Sequence, residues 1–274
     1  MNLVSIMANY ALCHSILTYL ALFSLLFKFS YCFNPRLFNV SKTGSDQWST
    51  ARASWYGNPS GAGSDGGACG YQNAVELAPF SSLITAAASS IYKSGNACGT
   101  CYQVKCTTSA VCSGEAVSVV ITDECPGCDS QSILFDLSGT SFGTMANHGE
   151  SDQLRNLGIE QIQYRRVDCE FPGASVAFRV DPGSNGNYFA TTVEYENGGG
   201  LAGVELKEQG AWLRMQPSWG AVWKLDAPSR GLNPPFTIRL TAGGNNSNGK
   251  TVVAKNVIPA NYNPGQTYRS VVNF

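Results

Sequence analysis

The chain of 274 residues sets 18 Lys and Arg against 19 Asp and Glu, a formal net charge of −1, which leaves no electrostatic footprint for nucleic acid or an anionic lipid surface. Only 14% of residues are charged, while 29 glycines and an aromatic share of 11% suit a β-rich chain with many turns and a surface of hydroxyls, amides and rings. There are two histidines, His14 and His148, which argues against a Ser/Cys-His-Asp nucleophile and a multi-His metal site, so neither metal nor cofactor is expected.

In chain order, Ile16 to Phe27 is an apolar run followed by small residues at Ser30 and Cys32. It is short for a membrane span, and a signal peptide over 1–32, cleaved after Cys32, is preferred to an uncleaved anchor. One detail departs from a standard signal: Lys28 follows the run and no Lys or Arg precedes it. Eight cysteines remain after cleavage, Cys69, Cys98, Cys101, Cys106, Cys112, Cys125, Cys128 and Cys169. An even number in an exported chain reads as disulfides, with the pairing left open. All fall within 69–169, which marks a first domain over 44–171. Its β-prone runs include 102–105 and 116–122, with one helix expected at Ser151 to Leu157 and Gly158 as its stop. A second, cysteine-free domain over 175–274 shows short alternating runs, at 176–180, 188–195, 204–207, 221–225, 236–241, 251–254 and 270–274. That spacing indicates an antiparallel sandwich. Asn39 and Asn245 head sequons for glycosylation.

Three constellations could carry chemistry. Cys98-Gly99-Thr100-Cys101 and Cys125-Pro126-Gly127-Cys128 could be zinc or redox motifs, but in an oxidising compartment disulfides are the stronger reading. Glycoside hydrolysis needs two carboxylates flanking one bond. Asp136 interrupts the apolar run Ile133-Leu134-Phe135-Asp136-Leu137; it suits a partly desolvated general acid, or else a strand-end Asp bonded to a nearby turn. Asp123 and Asp65 are the other candidates. Among aromatics, Trp55 and Tyr56 are adjacent and would face opposite ways in a strand. Exposed rings stack on sugars; Trp223 reads as core and Trp219, in a loop-like setting, as exposed.

Ser54-Trp55-Tyr56-Gly57, Gly67-Ala68-Cys69-Gly70-Tyr71, Cys98-Gly99-Thr100-Cys101-Tyr102, Thr122-Asp123-Glu124-Cys125, Phe135-Asp136-Leu137-Ser138-Gly139 and Ser218-Trp219-Gly220-Ala221 resemble the plant expansins in order along nearly the whole mature chain, and the β-expansins most. The resemblance implies an all-β architecture: a double-psi β-barrel related to family-45 glycoside hydrolases, then an immunoglobulin-like, carbohydrate-binding β-sandwich. It implies disulfides Cys69–Cys98, Cys101–Cys169 and Cys106–Cys112, leaving Cys125–Cys128 as the fourth. It places Asp136 at the position of the hydrolase acid, with Tyr56, Asp65, Thr122 and Asp123 in the groove. The segment that supplies the hydrolase base corresponds to 54–57, which holds no Asp or Glu, so no catalytic residue is expected. Trp55, Tyr56, Tyr188 and Trp219 fall on the family's sugar-stacking surface. Two positions depart from the pattern: Ser54 replaces a Thr, and Leu134 replaces a His beside Asp136.

The leading expectation is a secreted monomer in the extracellular cell wall or peripheral at the membrane. It binds wall polysaccharide, glucan or xylan, and loosens walls without hydrolysis. An endoglucanase-like hydrolase using Asp136 with Asp123 or Asp65 is the second reading, and a polysaccharide binder without loosening activity the third.

Overall fold

A computed structural model describes residues 47–227, 229, 231–244 and 249–274. The signal segment 1–32, Asn39 and Asn245 lie outside the described residues.

Six strands close a barrel. They are β1 (Ser49–Tyr56), β2 (Ile84–Ala88), β3 (Cys101–Cys106), β4 (Val117–Cys125), β5 (Ile133–Ser138) and β6 (Ile159–Val167), in the order β1-β5-β2-β4-β3-β6. The pairs β1–β5 and β2–β4 are parallel, and the rest are antiparallel. In β5 the residues Ile133, Phe135 and Leu137 are buried, while Leu134 and Asp136 between them are half-buried, the period-2 pattern of a strand with one face on the core. Strand β2 is buried at every position, because its four small side chains fit between two partner strands. Three short helices follow strands or turns: α1 (Ser89–Tyr92), α2 (Gly139–Thr144) and α3 (Ser151–Leu157). The Ser138 hydroxyl caps α2 by accepting from the Ser141 N–H at 3.0 Å. Helix α3 occupies the stretch read as helical and ends at Gly158, φ 74°.

The disulfides are Cys69–Cys98, Cys101–Cys169, Cys106–Cys112 and Cys125–Cys128, all within the barrel and its loops.

Beyond the barrel, β7 (Ala177–Val180), β8 (Tyr188–Glu194), β9 (Leu201–Glu208), β10 (Ala211–Arg214), β11 (Gln216–Pro217), β12 (Val222–Asp226), β13 (Phe236–Ala242), β14 (Thr251–Ile258) and β15 (Thr267–Arg269) form two sheets, ordered β10-β9-β13-β14 and β11-β12-β8-β7-β15. Strand β13 alternates strictly, with Phe236, Ile238, Leu240 and Ala242 buried. Phe236 meets Phe189 of β8 at 5.0 Å between ring centroids. Trp223 packs against this core. The strand expected over 270–274 is corrected: the last strand ends at Arg269. The Ser270 hydroxyl donates to Val272 O at 3.0 Å, and this local side-chain bond competes with a regular ladder.

The two β structures share buried contacts. Phe171, in the short turn between them, lies 5.6 Å from Phe80 of the barrel and 6.1 Å from Tyr195 of the sandwich, ring to ring. Phe80 and Tyr195 approach to 4.8 Å. Strand β8 is therefore covered on both faces, by the sandwich core and by the barrel, and Phe189 to Glu194 are all buried.

Candidate functional site

Parallel pairing of β1 with β5 sets Ser54 opposite Asp136. The Ser54 hydroxyl donates to Asp136 Oδ1 at 2.6 Å. Burial pushes the Asp136 carboxyl above its ordinary range; the Ser54 bond opposes that shift and the Asp123 charge adds to it. Asp123, at the end of β4, accepts the N–H groups of Ala68 at 2.6 Å and Glu124 at 2.8 Å on the same oxygen. That oxygen pins the loop before Cys69. Leu134 shares the face of Asp136 and, like Cys125, packs against the small cluster of Ala88, Cys128 and Ile133. A carboxylate oxygen of Asp136 and both sulfurs of the Cys125–Cys128 disulfide lie within 4.8 Å of one another. The sulfurs are committed to their bond, so they offer no thiolate to a metal.

Tyr56 turns toward the same acids. Burial, then Asp123 and Asp136, push its hydroxyl upward, and Oη is buried without a well-formed hydrogen bond, with Ser64 nearby. Its ring lies so close under Gly63 that a Cβ there would collide with it, and Gly63 holds φ 97°. Thr122 is buried; its carbonyl, not its hydroxyl, reaches the loop, accepting from Cys69 N–H at 3.1 Å. Asp65 is exposed and forms no hydrogen bond or ion pair among the described residues. Asp136, Asp123, Tyr56 and Ser54 thus come together, with Thr122 buried beside Asp123.

Of the rings, Trp55 is half-buried, its indole N–H donating to Arg155 O at 2.9 Å at the end of α3. Trp219 is 52% exposed. Its ring lies against Gly70 of the barrel, where a Cβ would stand 2.7 Å from the indole. Ala221 N–H also donates to Cys69 O at 3.0 Å, so the turn between β11 and β12 seats an exposed indole at the junction. Tyr188, half-buried at the start of β8 opposite Asp226, stands on a different stretch of the sandwich.

Sequence reasoning missed Ser54 as a partner of Asp136, and it missed two buried acids, Glu194 and Glu196. Burial pushes Glu194 up to about 7 against the pull of Arg179 and Arg269. It pushes Glu196 up to about 8, with the Gly200 N–H donating to Oε1 at 2.6 Å and Oε2 unpartnered. Glu196 lines a cavity of about 180 Å³ with Tyr71, Asn96 and Cys98 of the barrel and Trp223 of the sandwich. Both acids alternate with buried Val193 and Tyr195, the pattern of a strand with one face in solvent, so the sequence hides their burial.

Among the described residues no helix is long and apolar enough to cross a membrane. Residues 176–259 match the expansin C-terminal domain, and residues 84–164 match the family described as lytic transglycolase. Expansin-B2 of Arabidopsis thaliana is 54% identical over 93% of this chain and 94% of its own. Expansin-B11 of Oryza sativa subsp. japonica is 52% identical over 85% and 80%. The apo structure of Clavibacter michiganensis expansin superposes with a TM-score of 0.62 at 25% identity, covering 83% of this chain and 98% of that one. A variant of that bacterial protein in complex with cellohexaose superposes equally well, at 24% identity. The closed six-stranded barrel, the β-sheets that follow it and full-length relatives all named expansin-B agree, and the chain belongs to the expansin family, in its B branch.

Proposed function

We propose that this chain is an exported wall protein that grips polysaccharide on a surface including Tyr56, Trp219 and Tyr188, and lets neighbouring chains slip without hydrolysing them. The observation that carries this reading is the partner of Asp136. An inverting hydrolase needs a second carboxylate to activate water, and the group set against Asp136 on β1 is a Ser54 hydroxyl at 2.6 Å. The exposed Trp219 indole at the junction is suited to stacking on a pyranose face, at about 1 kcal/mol per ring. A glucan oligomer bound to the bacterial expansin points to the same ligand class. Glucan and xylan are the proposed polymers, and the extracellular wall the proposed location.

The test is extension of heat-inactivated walls under constant load, run beside release of reducing sugar from the same sample. Creep without sugar release is expected, with creep reduced several-fold in Asp136→Asn and Trp219→Ala. Folded protein that produces no creep would overturn loosening and leave a binder. The raised Asp136 carboxyl and its coupling to Asp123 favour one rival, hydrolysis by that pair; sugar release abolished in Asp136→Asn would establish it.

A further inference from the structure

A second charged site lies away from Asp136, where the outer face of the sandwich emerges from beneath the barrel. In β7, Ala177 stands opposite Glu194 of β8 on one side and Arg269 of β15 on the other. Arg179, two residues along, shares their face and is a diagonal neighbour of Arg269. Phe178 and Val180 point the other way, into the sandwich core. Ala177 is fully buried in the cluster with Phe171 and Tyr195, and the two arginines flank it on neighbouring strands.

The space above this face is a groove of about 510 Å³, walled by Asn73 and Leu77 of the barrel and by Arg179, Glu194, Tyr268 and Arg269 of the sandwich. Arg269 is exposed and lies over the Tyr195 ring, 5.3 Å from its centroid. Neither arginine forms an ion pair within 4.0 Å among the described residues, and Glu194, 2% exposed, forms no hydrogen bond there. A buried acid under two arginines ordinarily makes a contact salt bridge, because an unpaired buried charge is costly. Here burial instead raises Glu194 to about 7, so in acid it is neutral and does not cancel the cations. The groups facing it are Arg179 on β7, Arg269 on β15, the adjacent Tyr195 and, from the barrel, Tyr71.

We infer that this groove binds the carboxylate of an acidic polysaccharide, a uronosyl residue held by Arg179 and Arg269. Guanidinium forks match a carboxylate with two parallel hydrogen bonds. The groove, at about 510 Å³, is far larger than an inorganic anion requires. The choice of a polysaccharide over another carboxylate rests on the proposed function; the cation pair and the groove do not.

Isothermal titration of the folded chain with trigalacturonate, in mildly acidic low-salt buffer, tests it. Cellotriose serves as the neutral control and sulfate as the small anion. Trigalacturonate binding is expected to weaken about tenfold in Arg269→Gln, further in the Arg179→Gln, Arg269→Gln double variant, and also with added salt. Arg269 is exposed, so the single variant retains the fold, which an unchanged thermal transition checks. Unaltered affinity in Arg269→Gln, cellotriose binding that is lost with it, or sulfate binding as tightly as the trimer would each overturn the inference. Cellohexaose binding that is sensitive to Trp219→Ala reports the first reading separately, so either can fail alone.

Discussion

The barrel and the sandwich solve the same problem with different means. The sandwich fills the space between two sheets with Phe178, Phe189, Phe236, Ile238 and Leu240, all buried, and it has no cysteine. The barrel buries Phe135, Leu137, Phe142 and Ile162 beside hydroxyls at Thr85, Thr122, Ser138 and Ser141, much as the sandwich buries Thr191, Thr192, Glu194 and Glu208. It also carries the long loop that leads from β1 to Cys69 over the groove. Both interiors are filled by large apolar side chains, so the difference lies in the covalent links, which restrict the unfolded barrel segment at four places. One segment fixed in this way borders the groove: Cys69 is tied to Cys98, and the Ala68 N–H beside it donates to Asp123.

The strongest way to break the comparison is to remove Cys101–Cys169. It closes the largest loop, with a sequence separation of 68. The double change Cys101→Ser, Cys169→Ser is expected to cost about 4 kcal/mol by loop entropy. Hydrogen exchange should show β3 and β6 losing protection while β13 keeps it. Equal loss in both would mean that the sandwich depends on the barrel's staples. Next in size is Phe80→Ala, which opens the aromatic cluster with Phe171 and Tyr195. A cost of about 3 kcal/mol is expected, and it should lower the thermal transitions of barrel and sandwich together. A loss confined to the barrel would make the shared cluster a passive contact.

Glu196 gives a smaller, pH-dependent effect at the same junction. Its folded value of about 8 stands above the ordinary 4.5, so the folded chain holds a proton that the unfolded chain releases. Its contribution is therefore complete below about 4.5 and is lost as pH rises through about 8. Glu196→Gln should remove that loss and stabilise the chain in alkaline buffer, on the order of 1 kcal/mol by denaturant titration. Glu194 acts with the same sign and its window closes near 7, so a shallower slope should remain. No gain in the Gln variant would indicate that Glu196 is ionised and paired in solution.

Much of this was legible beforehand, and the reasons differ by region. Sandwich strands such as β13 bury one face against one core, so alternation at Phe236, Ile238, Leu240 and Ala242 shows directly in the sequence. Helix α3 announced itself through its Gly158 stop. Strand β2 did not, because Ile-Thr-Ala-Ala-Ala has helical composition and only burial between β4 and β5 makes it a strand. At the site, Asp136 stood out as a charge in an apolar run. Its partner did not, since Ser54 is 82 positions away and a parallel register leaves no local trace. Glu194 and Glu196 escaped for a related reason: the second face of β8 is covered by another part of the chain.

The smallest effect expected is the most informative about the groove. Asp136 is a partly exposed carboxyl whose burial raises its pKa while the Ser54 hydroxyl lowers it. Ser54→Ala removes the lowering influence alone, so the carboxyl should titrate higher, a shift readable by NMR. Because the folded value is then raised further above the unfolded one, the added cost is absent in acid and appears as pH rises through that value. About 1 kcal/mol is expected, held near the low end by solvent screening. Ser54→Thr keeps a hydroxyl and should behave as the parent. In Asp136→Asn the acceptor is no longer charged, so adding Ser54→Ala should cost less there than alone, a coupling that a double-mutant cycle measures. A Ser54→Ala chain that matches the parent at every pH would mean the hydroxyl does not serve the ionised carboxylate. The case for Ser54 as the group that holds Asp136 charged would then fall with it.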